Sequence, residues 1–498
     1  MLGPRPPLSS LSSPDAPWDA LVIGGGITGA GILLEAARRK LRVLLVDQRD
    51  FAWGTSSRSS KMVHGGLRYI AQGDIKLTRH SLQERERLLA ELPHLVVRLS
   101  YLFPIRRGKF PGRWPMQLIL AVYDLLAGIR DHRWMTPSEL QTAYPQLQSQ
   151  GLQGAMRYTD AVTDDCRLVI RVLQEAMLEG GRARNYTEAL RIQPCAAGSL
   201  VTLHDALSGE RIQIEAKQVF NATGLWADRL SGTPPHVRPQ RGGHLFVSSQ
   251  RVPVQDCLTV MHPDDGRPVF VFPWRGETCI GTTDLDHQGD VNEEPHCTTA
   301  EVDYLLKVVN HEMPTVQLAR ADIISTMAGV RPIIASGRGR NPSKERREHV
   351  VWQANGVISV SGGKLTTFRQ IALDALKAAG LMDERAHRDA HQDRKQRCFN
   401  HHIPDPHRLS EPLAGVAQGA ALLKQVEWIL QNEMVTHLDD LMLRRLRAGN
   451  LLPDAGESLL PILQALCQHH LGWDAPAWEA ECTRYRQIIA RGYREVAR

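Results

Sequence analysis

The sequence predicts an α/β fold, α+β overall: a Rossmann-type domain first, an antiparallel-sheet domain after it, and an α-helical domain at the C-terminal end. Three observations carry this. A strand–helix–strand unit with a glycine-rich turn fills residues 19–47. Segments of alternating polarity, broken by Pro and Gly turns, recur through the middle, as in His244-Leu-Phe-Val and Val269-Phe-Val-Phe-Pro-Trp. From about residue 412 the spacing is helical and strand formers are few.

Taken in order, residues 1–18 lack the basic start and apolar run of a secretory signal and read as a flexible Pro/Ser tail. Asp19 to Gly24 is a short apolar run ending in glycine, the mark of a buried parallel strand; Ile27 to Lys40 has helical spacing and a basic end; Leu41 to Val46 is a second strand. In the turn Gly24-Gly25-Gly26-Ile27-Thr28-Gly29, the first glycine allows the tight bend, the next lets a pyrophosphate approach the backbone, and the last lets helix and strand pack closely. Phosphate then faces the positive end of the helix beginning near Ile27. Asp47, followed by Gln48, ends the second strand 18 residues after Gly29, where an acid can accept from ribose hydroxyls. A hydroxyl cluster comes next (Thr55, Ser56, Ser57, then Ser60-Lys61), offering donors to the second half of a long, permanently held ligand.

Composition bounds the rest. At 498 residues the chain is long enough for two to four domains, and 42% hydrophobic with 23% charged residues excludes disorder and fibrous repeats. A net charge of +6 permits an anionic substrate or membrane surface, and no nucleic-acid module is visible. The eight cysteines form no CxxC pair or regular framework and read as reduced thiols, most of them buried. The longest nearly apolar run, Met116 to Ile129, contains Asp124 and is too short to span a bilayer. Between Leu92 and Tyr123 there is no acid, but Arg98, Arg106, Arg107, Lys109 and Arg113 interleave with Tyr101, Phe103, Phe110 and Trp114, the composition of an interfacial anchor over about residues 98–123. His387, His391, Cys398, His401, His402 and His407 fit no standard zinc spacing, so the expectation is no metal. Arg444-Arg445 reads as a salt-bridging helix face.

Further motifs make the chain recognisable: TSSRSSKMVHGGLRYI at 55–70, TDDCRLVI at 163–170, FNATGLWAD at 220–228, GGHLFV at 242–247, IGTTD at 280–284, AGVRP at 328–332, SGGKLTTFR at 361–369 and DDLMLRR at 439–445. With the glycine turn they closely resemble the FAD-dependent, quinone-linked glycerol-3-phosphate dehydrogenases of the D-amino-acid-oxidase-like superfamily. The departures are Asp47 where Glu is frequent, Thr28 where Asn is, Cys166 where a small alanine is common, and a tail before Asp19 that is not shared.

The resemblance implies a discontinuous FAD-binding domain (19–83, 155–225 and 340–382), a substrate-binding and membrane-facing domain (84–154 and 226–339), a linker (383–411) and a helical C-terminal domain (412–498). It implies that FAD is held by Gly24, Gly25, Gly26, Ile27, Thr28, Gly29, Asp47, Gln48, Thr55, Ser56, Ser57 and Lys61, together with Ala222, Thr223, Gly224, Gly362, Gly363, Lys364, Leu365 and Thr366. Arg68, Tyr69 and Arg347 match phosphate-binding positions; Arg331, His244 and Lys364 match polar groups around the oxidised carbon; His64 matches a position close to the flavin. The implied reaction takes hydride from C2 of sn-glycerol 3-phosphate to flavin, gives dihydroxyacetone phosphate, and passes electrons to a membrane quinone. His244 is the preferred base because imidazole titrates near neutrality, and a water held by arginine or lysine is the rival. Peripheral attachment at the cytoplasmic face of the membrane, or a cytoplasmic location, fits this class, as does a homodimer. Three alternatives stand beside it. An oxidase using O2 often carries an extra insertion that is not found here. An amine or amino-acid oxidase wants one arginine for a carboxylate, and a non-catalytic flavoprotein would not be bleached by glycerol 3-phosphate.

Overall fold

The structure is a computed structural model that describes every residue except 13–15, 68–69, 71–73, 233–235, 336–347, 394–395, 405–408, 410–412, 414–418 and 495–498. Two sheets organise it. In the first, the order is His349–Ala354, Val357–Gly362, Arg211–Asn221, Trp18–Ile23, Val43–Val46 and Arg182–Arg184, with Gly198–Asp205 and Thr187–Cys195 added through Arg211–Asn221. Its central pairs are parallel, with Val22 opposite Leu45 on one side and Phe220 on the other. Period-two alternation gives it two apolar faces. Ala20, Val22, Leu45 and Ile358 pack against the helices Ile27–Arg38, Asp165–Leu178 and Phe368–Ala378, while Leu21, Ile23, Leu44 and Val219 face the other way.

That second face is covered by the N-terminal segment, expected as a flexible tail. Leu8 and Leu11 sit in its core, Leu2 is buried with the helices of the first face, and Arg5 pairs with Asp205 at 2.9 Å. Three buried leucines contribute about 2 kcal/mol each, enough to hold a segment whose Pro and Ser content suggested otherwise.

The second sheet is antiparallel except where Val96–Arg106 meets Cys257–Met261 in parallel, Tyr101 opposite Cys257. One of its two longest pairings joins Val237–Ser248 to Ile323–Ile334, setting His244 opposite Met327 and Gln240 opposite Arg331. Met62–Val63 and Leu152–Thr163 join this sheet, so parts of 19–83 and 155–225 lie outside the dinucleotide-type sheet.

The C-terminal region is helical (Ala420–Asn432, Leu460–Leu471, Ala475–Gly492) and shares a core with the second sheet, where Phe246, Phe272 and Trp274 meet Leu441, Met442 and Tyr485. Arg444-Arg445 is salt-bridging but wholly buried: both guanidiniums clasp Asp50 at 2.6 and 2.9 Å, and Arg444 also takes Asp439 and Asp440. Arg447 takes Asp164 and Asp165 at 2.7 and 2.5 Å. The expected linker 383–411 contains a helix, Glu384–Gln392, and buries Cys398 and Phe399, whose backbone N–H groups donate to Glu91 at 2.6 and 2.8 Å. Only Ala390 of that helix is buried, so its sequence lacks the apolar stripe that marks a packed helix. All eight cysteines are free, and all but Cys195 are buried.

Candidate active site

A cavity of about 1000 Å³ opens where the parallel strands end, at the crevice in which open α/β sheets take ligands. The chain turns there from Trp18–Ile23 into Ile27–Arg38 through the three glycines. A Cβ on Gly24 would stand 2.5 Å from the Ala222 carbonyl oxygen, and one on Gly29 would overlap the Gly24 carbonyl, so both serve packing. On Gly26 the nearest atom would be Ser56 Oγ at 3.2 Å, and this glycine lines the cavity with Ile27 and Thr28. The backbone can therefore come close to a pyrophosphate at the positive end of the helix. Ser56 Oγ accepts from Ile27 N at 3.0 Å and ties the hydroxyl cluster to that turn.

Asp47 lies beside the turn, accepting from Gly25 N at 2.6 Å and from Arg49 N at 2.8 Å. Burial outweighs these hydrogen bonds and pushes its carboxyl up to about 6.

Basic side chains, one of them paired with an acid, also line the cavity. Arg331 donates to Thr282 Oγ1 at 2.9 Å and to Asp284 Oδ1 at 3.4 Å, Lys364 Nζ donates to Ser81 Oγ at 3.2 Å, and His64 lines the same space. Lys364 follows two glycines, each at φ +80°, a conformation costly for other residues, and Gly362 to Thr366 all line the cavity. So do Gln48, Thr55 and Ala222 to Gly224.

Five sequence-predicted residues stand off the wall. Gly25, Gly29 and Ser57 support the turn and the hydroxyl cluster from behind. Lys61, expected at the cofactor, has φ +59° and turns inward to pair with Asp165 at 3.0 Å over the Trp274 ring. Burial holds its ammonium below the usual lysine range despite that partner. His244 is buried and does not line the cavity; its Nε2 lies 2.9 Å from the hydroxyl of Ser60, which does. Burial first, then the charges of Arg331 and Lys61, push this imidazole down to about 3, so it is neutral at physiological pH. Arg68, Tyr69 and Arg347 lie outside the described residues, although Gly66 and Leu67, just before the first two, reach the wall.

Several wall residues have no site role assigned from the sequence, although Ser60 and Trp226 lie inside quoted motifs. Ser60 is the bridge to His244, and Trp53 and Trp226 stand with ring centroids 6.2 Å apart. At the other end, Phe103, Phe110, Pro111, Met116 and Ile119 make an apolar mouth. The mouth lies in the segment expected to meet a membrane, and there the structure divides that segment. Residues 96–106 form a strand in which Arg98 and Arg106 are taken by Glu86 and Glu312 at 2.6 and 2.7 Å. The helix Arg113–Ala127 buries Met116, Leu120 and Tyr123 but leaves Trp114, Leu118 and Leu125 at 72%, 69% and 79% exposure, with Phe110 beside them at 84%. No helix among the described residues is long and apolar enough to cross a membrane.

A family model described as FAD dependent oxidoreductase matches residues 19–424, and one described as the C-terminal domain of alpha-glycerophosphate oxidase matches 399–477. The aerobic glycerol-3-phosphate dehydrogenase of Staphylococcus haemolyticus is 35% identical over 368 residues, 72% of this chain. The matching region spans 66% of that relative's own length. The Bacillus subtilis protein of the same name is 36% identical over 385 residues, 74% of this chain and 68% of its own. Among solved structures, a glycerol-3-phosphate dehydrogenase from Bacillus halodurans complexed with FAD superposes with a TM-score of 0.73, covers 95% of each chain and is 25% identical.

Proposed function

The chain belongs to the FAD-dependent oxidoreductase family, and on that premise we propose that it oxidises sn-glycerol 3-phosphate at C2 to dihydroxyacetone phosphate and passes the electrons to a membrane quinone. One observation carries this reading: a single cavity is lined by a dinucleotide cradle, by Arg331, Lys364 and His64, and by apolar side chains next to exposed hydrophobic ones. The cradle fits FAD in its glycine clearance, its acid at the end of the second strand and its size. Gly26, Ile27 and Thr28 would hold the pyrophosphate, Asp47 the ribose, and Ala222–Gly224 with Gly362–Thr366 the redox-active end. When bound, FAD supplies the acceptor for the C2 hydride.

The chain's own residues do the rest. Negative charge builds on the C2 oxygen as hydride departs, and Arg331 with Lys364 stabilises that charge more than the ground state. The hydroxyl proton passes by way of Ser60 Oγ to His244 Nε2, which is neutral and able to accept it. Burial is the larger cause of the depressed His244, and negative charge growing on the C2 oxygen beside Arg331 opposes the smaller, electrostatic part. Arg68, Tyr69 and Arg347 are assigned to the phosphate, where bidentate guanidinium contacts suit the anion.

Phe110, Trp114, Leu118 and Leu125, with Arg107, Lys109 and Arg113 nearby, form the membrane contact, at the cytoplasmic face. Three basic groups at about 1 kcal/mol each, added to the buried apolar area, support reversible attachment. A quinone from the lipid then reaches the cavity between Phe103, Phe110 and Ile119 without crossing water.

Anaerobic addition of glycerol 3-phosphate to the purified yellow protein is the test. Loss of the oxidised-flavin absorbance, restored faster by a short-chain quinone than by air, is expected; an unchanged spectrum would overturn the reading.

A further inference from the structure

Outside the cavity, on the far side of the loop that carries Lys364, four polar side chains converge. Asp374 sits on the helix Phe368–Ala378, which continues directly from that loop. His387 and His391, four residues apart on Glu384–Gln392, project from one helix face. Their Nε2 atoms lie 2.6 and 3.4 Å from Asp374 Oδ1, and the three ligand atoms fall within 4.8 Å of one another. The second carboxylate oxygen is held by His349 Nε2 at 2.8 Å.

From this convergence we infer a divalent transition-metal site of the zinc class, with Asp374, His387 and His391 as protein ligands, water completing the shell, and His349 fixing the carboxylate from outside. Two imidazole nitrogens and one carboxylate oxygen are a donor set that suits zinc rather than calcium or magnesium. Metal–ligand arms of about 2.0–2.1 Å in a tetrahedron separate neighbouring ligand atoms by about 3.3–3.5 Å. The His391–Asp374 spacing already matches, and the His387 contact needs to open only slightly.

The charge state suits an ion as well. One carboxylate with two neutral imidazoles leaves a divalent ion partly neutralised, with positions for water. The ligand side chains are 33%, 15% and 18% exposed, which leaves a path for an ion and room for water. An outer partner such as His349 is the customary support of a metal-bound carboxylate. The ion would pin Glu384–Gln392 onto Phe368–Ala378 and so brace the Gly362–Thr366 loop from behind.

Tag-free, full-length holoprotein, treated with chelator and desalted, is titrated with cobalt(II). We expect d–d bands of four- or five-coordinate intensity, at wavelengths longer than the flavin's, saturating at one equivalent and bleached by zinc(II). His387→Gln/His391→Gln and Asp374→Asn should weaken binding by at least tenfold, and His349→Ala by about 10- to 100-fold. His401→Ala, in the separate Glu175–Glu179–His401 group, should leave it unchanged. Zinc should raise the Tm of the wild type by a few degrees. A wild-type spectrum that is absent or of weak octahedral type overturns the inference without recourse to any variant. So does a titration that the His387/His391 change leaves as it was in a variant retaining its flavin.

Discussion

Replacing Ser60 by alanine separates a proton relay from a merely packed histidine. In the structure, Ser60 Oγ is the one described group that both lines the cavity and contacts His244 Nε2, at 2.9 Å. General-base participation is worth about 10²–10⁴ in rate, or roughly 3–5 kcal/mol of barrier. A neutral hydrogen bond lost without catalytic consequence is worth about 1 kcal/mol, about fivefold. The two cases are well separated. Ser60 is not assigned to the phosphate, so KM should stay near the wild-type value while the rate constant for flavin reduction, read by anaerobic stopped flow, falls at least a hundredfold. His244→Gln should fall as far, and the double variant no farther, since the two act as one unit. A Ser60→Ala protein whose reduction rate stays within fivefold of the wild type would refute the relay and leave the proton to a water held by Arg331 or Lys364.

Asp47 gives a pH prediction. Its folded value of about 6 lies above the ordinary 3.8, so the folded chain takes up this proton first, and the group's contribution to stability is greatest below about pH 4 and is lost as pH rises through 6. Ribose hydroxyls donate to the ionised form, so FAD affinity should run the other way, rising with pH through about 6. Asp47→Asn should flatten that profile, measured by release of flavin fluorescence. Trp114→Glu/Leu118→Glu should abolish co-sedimentation with anionic vesicles while leaving reduction by glycerol 3-phosphate intact; retained vesicle binding would move the membrane contact elsewhere. Gly29→Ala puts a methyl group into the Gly24 carbonyl, so the protein should be recovered colourless or insoluble. Arg447→Ala leaves Asp164 and Asp165 with Lys61 as their principal counter-charge and should destabilise by about 3–5 kcal/mol, read as a lowered Tm.

The parallel sheet and its cradle were legible because their signals are local: an apolar run, a glycine turn, a helix and an acid within thirty residues. The wall at Gly362–Thr366 and Ala222–Gly224 was legible through motif resemblance alone, since nothing in its local pattern says that it faces the same space. Lys61 turns to Asp165, a partner 104 residues away in sequence that no local pattern reveals. Asp164, Asp165 and Arg447, quoted within or just past motifs, gave no hint of pairing with one another, since their contacts cross more than 280 residues of chain. Asp374 is a related case, since His and Cys spacing carries no information about an acid on the preceding helix.

The buried ionic seam sets an order on biosynthesis. Asp50, Asp164 and Asp165 are made between 282 and 395 residues before the arginines that neutralise them, Arg444, Arg445 and Arg447. Until then Asp50 lacks both guanidiniums that clasp it, and Asp164 and Asp165 have only Arg275 and Lys61, so burying these carboxylates is costly. Closure thereby waits for those arginines, and a polypeptide truncated just before Arg444 should neither close nor turn yellow.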